Sequence, residues 1–236
     1  MSNRFRLALI LLCVVMIGVY LVDQDTQVTE AIPGAQVQLA FEENLENLGT
    51  ARINGEVHDG EMVFSGGKIG SAHFAQGDGS WLEYSTQDRD IPGQVIEISF
   101  EFKAEDWENP YKQGSVSKTM AVVSGRDPQK IRHLSFSLSP GDKPVLSVSI
   151  EDQNGAKDRI YTPAGALSFD WHQVKLEIDR EQQTSRLYFD GEMVGSTDII
   201  PSVAETGFDR IKLGTWHKKN QAYRGLIDNF VIRKVN

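Results

Sequence analysis

Cysteine is almost missing from this 236-residue chain: Cys13 is the only one, and it lies inside an apolar run near the N-terminus. The rest of the sequence therefore has no disulfide framework and no thiolate to serve as nucleophile or metal ligand. The histidines are few and scattered. His58, His73, His133, His172 and His217 form no His-x-His or His-x-x-x-His pair, which removes the usual zinc arrangements. No Gly-x-Ser-x-Gly elbow occurs, and the glycines between 66 and 79 do not have the spacing of a phosphate-cradling loop. Basic charge is also in deficit, with 24 Lys and Arg against 33 Asp and Glu and a net charge of −9. An acidic chain of this kind has no electrostatic footprint for nucleic acid and gains nothing from an anionic lipid surface. Helical periodicity is missing after the N-terminal run, except for a single turn over residues 202–205.

What is present begins with that run. Leu7 to Val22 is 16 residues without charge or proline, preceded by Arg4 and Arg6 and followed by Asp23 and Asp25. As a helix it reaches about 24 Å, slightly short of a hydrocarbon core of about 30 Å. The flanking charges predict a cytoplasmic N-terminus with the globular part outside. The run ends in Tyr20-Leu21-Val22-Asp23, a poor cleavage site, and Leu12 before Cys13 does not suit a lipoprotein signal. The expectation is an uncleaved signal anchor over residues 1–22, with cleavage and secretion as the alternative. A polar linker over 23–36 and one folded domain over 37–236 follow.

The domain alternates. Ile96, Ile98, Phe100 and Phe102 interleave with Glu97, Ser99, Glu101 and Lys103; Leu134, Phe136 and Leu138 with Ser135, Ser137 and Ser139. Leu146, Val148 and Ile150 interleave with Ser147 and Ser149, and Val174, Leu176 and Ile178 with Lys175, Glu177 and Asp179. A period of two means strands with one dry and one wet face. Asn154-Gly155 and Asp190-Gly191 supply the positive φ of tight hairpins. Many strands without intervening helices predict an all-β fold of two antiparallel sheets.

Several stretches resemble the laminin G-like domains of the concanavalin A-like lectin/glucanase superfamily. Gly66 to Phe74 and Gly77 to Tyr84 resemble an early strand pair of that family. Trp171-His172-Gln173-Val174 resembles its Trp-His-x-Val strand, and Leu187-Tyr188-Phe189-Asp190-Gly191-Glu192 its Asp-Gly hairpin. Ile211 to Gly214 and Gly225 to Ile232 resemble its last two strands. The resemblance implies a jelly-roll sandwich over about residues 37–236. Many secreted eukaryotic members carry disulfides, so their absence here points to a bacterial inner-membrane protein with its domain in the periplasm.

Three sets of side chains are candidate sites. Glu177-Ile178-Asp179-Arg180-Glu181 is similar to the Glu-x-Asp-x-Glu strand of bacterial glucanases on the same fold, where two carboxyls act as nucleophile and acid/base. Retaining hydrolysis needs them about 5–5.5 Å apart. Here Arg180 replaces an apolar residue, and Gln182-Gln183-Thr184 predicts a bend that carries Glu181 off the strand. Asp228 shares parity with Phe230 and Ile232, which predicts an inward carboxylate needing a partner. The resemblance implies a structural Ca²⁺ nearby, held with backbone carbonyls of the first strand, and Glu42, Glu43 and Asn44 close to that strand could supply further oxygens; capping of backbone N–H groups or pairing with Arg224 is the alternative. Finally, Trp107 and Tyr111, and Trp216, His217 and Tyr223, fall in two polar inter-strand segments where sugars could stack. The sequence thus predicts a membrane-anchored lectin-like module for carbohydrate or envelope polysaccharide. A non-catalytic subunit of a larger membrane assembly is the alternative, and a glycoside hydrolase the remote one.

Overall fold

The computed structural model describes residues 30–235 except 62, 69–70, 77–78, 87–93, 106–116, 127–130, 140–142 and 216–220. The anchor segment 1–22 lies outside them. Among the described residues no helix is long and apolar enough to cross a membrane.

The strands run β1 (Ala35–Leu39), β2 (Ile53–His58), β3 (Phe64–Gly66), β4 (Ser71–Gln76), β5 (Trp81–Thr86), β6 (Val95–Ala104), β7 (Lys118–Arg126), β8 (Ile131–Ser139), β9 (Val145–Glu151) and β10 (Lys157–Tyr161). They continue with β11 (His172–Asp179), β12 (Thr184–Phe189), β13 (Glu192–Thr197), the helix α1 (Ser202–Thr206), β14 (Arg210–Leu213) and β15 (Arg224–Val235). They form two antiparallel sheets packed as a jelly-roll sandwich. The eight-stranded sheet is ordered β13-β12-β11-β6-β15-β4-β3, with β1 also on β15; the seven-stranded sheet is ordered β10-β9-β8-β7-β14-β5-β2. The first strand takes up Ala35 and Gln36, two residues that the sequence assigns to the linker.

The alternating apolar residues make the core. Ile96, Ile98, Phe100 and Phe102 of β6 meet Leu134, Phe136 and Leu138 of β8, and all are buried. Phe100 lies edge-on to Phe136 at 5.2 Å and stacks on Phe230 at 5.7 Å, so one ring ties both sheets. The tight turns use the residues their geometry requires. At the β12–β13 hairpin Asp190 and Gly191 have φ of 49° and 84°, and at the β9–β10 turn Gly155 has φ of 89°. The turn over 202–205 is α1.

Strand directions follow from the register. Residues 30–35, the 179–184 turn, α1 and Val235 gather at one end of the sandwich, the entry end. The β12–β13 hairpin, residues 104–105, Lys118, Gly214 and Arg224 lie at the opposite, far end. The last strand serves two partners on one edge: β1 along Phe230–Arg233 and β4 along Arg224–Ile227.

Between those partners the strand bulges. Asp228 pairs with Glu101 and Val231 with Ser99, so β15 carries one extra residue, with Asn229 at φ 48°. The bulge corrects the predicted orientation of Asp228. Parity counted back from Phe230 puts Asp228 inside, but the extra residue resets it, and Ile227 is the core residue. Asp228 lies on the same face as Glu101, the outer one, and is fully buried there.

Candidate functional site

The outer face of the eight-stranded sheet is a lattice of paired charges. Glu97 receives Arg233 through two bonds of 3.0 and 3.1 Å, with Lys175 at 3.9 Å. Glu177 pairs with Arg186 at 3.1 Å. Lys68 Nζ donates to Glu101 at 2.6 Å, and Asn229 Nδ2 to the other Glu101 oxygen at 3.1 Å. A depression of about 210 Å³ opens here among Glu97, Gln173, Lys175, Tyr188 and Arg233. Its aromatic is already covered, since Lys175 Nζ lies 4.2 Å over the Tyr188 ring.

Of the glucanase-like stretch, Glu177 and Asp179 share Arg186 Nη1, at 3.1 and 3.8 Å, and Glu181 does not join them. Glu177 is on the strand and tied to Arg186. Asp179 is buried, and its Oδ1 accepts the Glu181 and Gln182 backbone N–H groups at 3.1 and 2.9 Å, capping the turn. Glu181 is exposed on that turn, beside Arg180, Gln183 and Glu205.

Asp228 accepts the backbone N–H of Lys68 at 3.0 Å and of Asn229 at 2.8 Å. Arg224 pairs instead with Glu105 at 3.6 Å. Asn44 is turned onto its own loop, bonding the Glu42 carbonyl and the Glu46 N–H. Donors face Asp228 where Ca²⁺ would need oxygens, and among the described residues no group of three or more His, Cys, Asp or Glu could hold a metal. Among the described residues, the Lys68 and Asn229 partners of Asp228 are N–H donors and do not fit the cation.

Of the predicted aromatic loop residues, Trp107, Tyr111, Trp216 and His217 lie outside the described residues; those flanking the two segments lie at the far end. Tyr223 is described, and the prediction that it offers a stacking face is corrected. It is 1% exposed, its hydroxyl donates to the Leu226 carbonyl at 3.3 Å, and burial together with the Glu105 charge pushes its phenol far up. A Cβ on Gly225 would lie 2.5 Å from that hydroxyl, so the ring is packed onto bare backbone.

The seven-stranded sheet presents a different outer face. Its register lines up Tyr161, Ser147, Ser137 and Thr119 in one row across β10, β9, β8 and β7. The adjacent row is Arg159, Ser149, Ser135 and Val122. Ser147, Ser137 and Thr119 of the first row are buried, so the open floor is the Ser149–Ser135 row, with the long residues of β10 beside it. The result is a trough of about 480 Å³ lined by Ser135, Ser149, Glu151, Lys157, Arg159 and Tyr161. Tyr161 is 48% exposed. On the far side of the same sheet Trp81 is unavailable as a platform: His58 stacks on it at 4.9 Å and Lys212 lies 5.0 Å over it. The Asn154-Gly155 hairpin marks a strand after it, but the trough was missed in the sequence because which β10 residues face it is set only by the register against β9. A signal did exist: Ser135, Ser137 and Ser139 of β8 and Ser147 and Ser149 of β9 fill wet-face positions, where β6 and β11 use mostly charged residues.

Comparison with solved structures finds the same architecture. Domain 4 of an extracellular arabinanase from Geobacillus stearothermophilus, solved with arabinotriose, matches with a TM-score of 0.60 and 18% identity over 85% of this chain and 92% of that one. The binding domain of Paraclostridial Mosquitocidal Protein 1 matches with a TM-score of 0.60 and 16% identity, over 86% of this chain and 50% of that one. The botulinum neurotoxin serotype D ligand-binding domain, solved with N-acetylneuraminic acid, matches with a TM-score of 0.60 and 14% identity, over 86% and 48%. The chain thus spans about half the length of the toxin domains. No curated protein sequence matches. The family model for laminin G-type domains matches residues 104–235, more than half of the chain, and the chain belongs to the concanavalin A-like lectin/glucanases superfamily.

Proposed function

We propose that the protein is a non-catalytic carbohydrate-binding module whose site is the hydroxyl-floored trough beside β10. The observation that carries this reading is the half-exposed Tyr161 ring lining one trough with Ser135 and Ser149. A sugar presents C–H faces that stack on an aromatic ring and hydroxyls that need donors and acceptors within reach. The trough supplies both. The arabinanase domain solved with arabinotriose and the toxin domain solved with N-acetylneuraminic acid support a carbohydrate as the ligand class. Separation of Glu177 from Glu181 supports binding without hydrolysis. The run Leu7–Val22 is the proposed tether, holding the domain on the periplasmic side of a bacterial inner membrane; cleavage of that run would release it instead.

A glycan array with the purified protein tests the reading. Wild type is expected to bind a subset of glycans, and Tyr161→Ala to weaken that binding roughly tenfold or more with the melting temperature unchanged. A folded protein that binds no glycan would sink the proposal. It would favour the interaction-subunit alternative, for which co-purifying membrane proteins are the readout.

A further inference from the structure

The trough's lining carries two cations, Lys157 and Arg159, and two carboxylates, Glu151 and Asp158, but they are not matched one to one. Lys157, Arg159 and Tyr161 share the outer face of β10, as their pairing with Glu151, Ser149 and Ser147 requires. Lys157 is matched, with its ammonium 3.2 Å from Glu151. Arg159 is not: among the described residues no carboxylate forms an ion pair with it. Its Nε donates to Ser149 Oγ at 2.7 Å. Its neighbour Asp158 faces the other way, toward β13, where it bonds the Thr197 hydroxyl, and its Oδ1 accepts the Arg159 backbone N–H at 2.7 Å. A guanidinium has five N–H donors in a planar fork. Ser149 fixes one edge of that fork, which leaves the two amino groups for a partner from solution.

We propose that the trough takes an anionic glycan, one whose sugar carries a carboxylate or sulfate, and that Arg159 receives the acidic group. This rests on the carbohydrate reading above and names the ligand class for the same site. Arg159 and Tyr161 are two residues apart on one face, about 7 Å. A sugar ring stacked on Tyr161 therefore places a ring substituent within reach of the guanidinium. Planar, two-oxygen anions are what a guanidinium fork pairs with best, and the pairing is charge-assisted. The net charge of −9 repels polyanions at long range, so selectivity for an acidic glycan must come from local contacts of this kind.

The test is calorimetric titration of the full-length protein in detergent with four probes of equal length: an oligouronate, its methyl ester, a sulfated oligosaccharide and a neutral one. The oligouronate or the sulfated probe is expected to bind at least tenfold more tightly than the neutral one, and the ester to bind like the neutral one. Arg159→Ala is expected to abolish that difference, so that the acidic probes bind no more tightly than the neutral one. Arg159→Lys should restore only part of it, because the charge remains and the fork is lost. Tyr161→Ala should weaken all four. Equal affinity for acidic and neutral probes, or an Arg159→Ala variant that still discriminates, would overturn the proposal and leave the carbohydrate reading intact. No binding of any probe by the folded protein would overturn both.

Discussion

At the scale of single residues, buried polar groups separate into those with partners and those without. His172 shows the first kind. Its Nε2 accepts the Ser168 backbone N–H at 2.9 Å, so its proton sits on Nδ1, which donates to Asp190 at 2.7 Å. The other Asp190 oxygen accepts the Gln173 N–H at 2.8 Å. Asp190→Ala leaves a buried imidazole N–H unsatisfied and puts alanine at φ 49°, so a loss of about 2–3 kcal/mol is expected in urea denaturation. Asp190→Asn, which tolerates that φ, should lose less. His73 shows the second kind. It is buried against Phe41, its Nδ1 has no partner among the described residues, and burial pushes its pKa down to about 4, against a hydrogen bond to the Val63 backbone. Between about pH 6.5 and 4 the unfolded chain binds a proton that the folded chain refuses, so stability falls as the pH drops through that window. The full effect is about 3 kcal/mol. Denaturation at pH 7 and pH 5 should show the decline in wild type, and His73→Gln should remove most of it.

At the scale of elements, the wet and dry faces of β6, β8, β9 and β11 were legible in the sequence because one face of each must reach the core and the other must not. The Asp190-Gly191 and Asn154-Gly155 turns were legible for the same local reason. Three features were not. A bulge is one extra residue opposite a partner strand, and nothing in Asp228-Asn229 alone announces it; its effect was to reverse the predicted orientation of the metal candidate. Tyr223 looks like a loop aromatic until Gly225 is seen beneath it. The Asn154-Gly155 turn announces a strand after it, but the outward face of Lys157-Asp158-Arg159-Ile160-Tyr161, an edge strand with Ile160 its one buried residue, is not written in its pattern. Gly225 has φ 148°, and a Cβ there would lie 2.3 Å from the Lys103 carbonyl. Gly225→Ala is therefore expected to part β15 from β6 at the far end and lower the melting temperature by several degrees. Adding a chelator to wild type should not, since the Lys68 and Asn229 N–H groups donate to Asp228.

At the scale of the whole molecule, the two outer faces divide the work. On one, cations and carboxylates neutralise each other, as at Glu97 with Arg233 and Glu177 with Arg186. On the other, Ser135 and Ser149 form an uncharged floor, with the long residues of β10 along its edge. The sandwich was legible from the sequence because its periodicity is spread over the whole chain, whereas the trough exists only once β8, β9 and β10 lie side by side. Ser149→Trp fills that floor, and loss of glycan binding without loss of stability is the expected outcome on the same array. The pairing of β1 with β15 also sets how the domain answers to load. Ala35 lies at the entry end and Leu39 further in, with Arg233 and Phe230 as their partners. A pull on the N-terminal segment, opposed by a ligand held on the sandwich, runs along β1 and across its ladder bonds. Those bonds then bear the force together, in shear, instead of opening one at a time like a zipper. A ladder loaded in shear yields late and abruptly, so under such a pull β1 would leave β15 in one step.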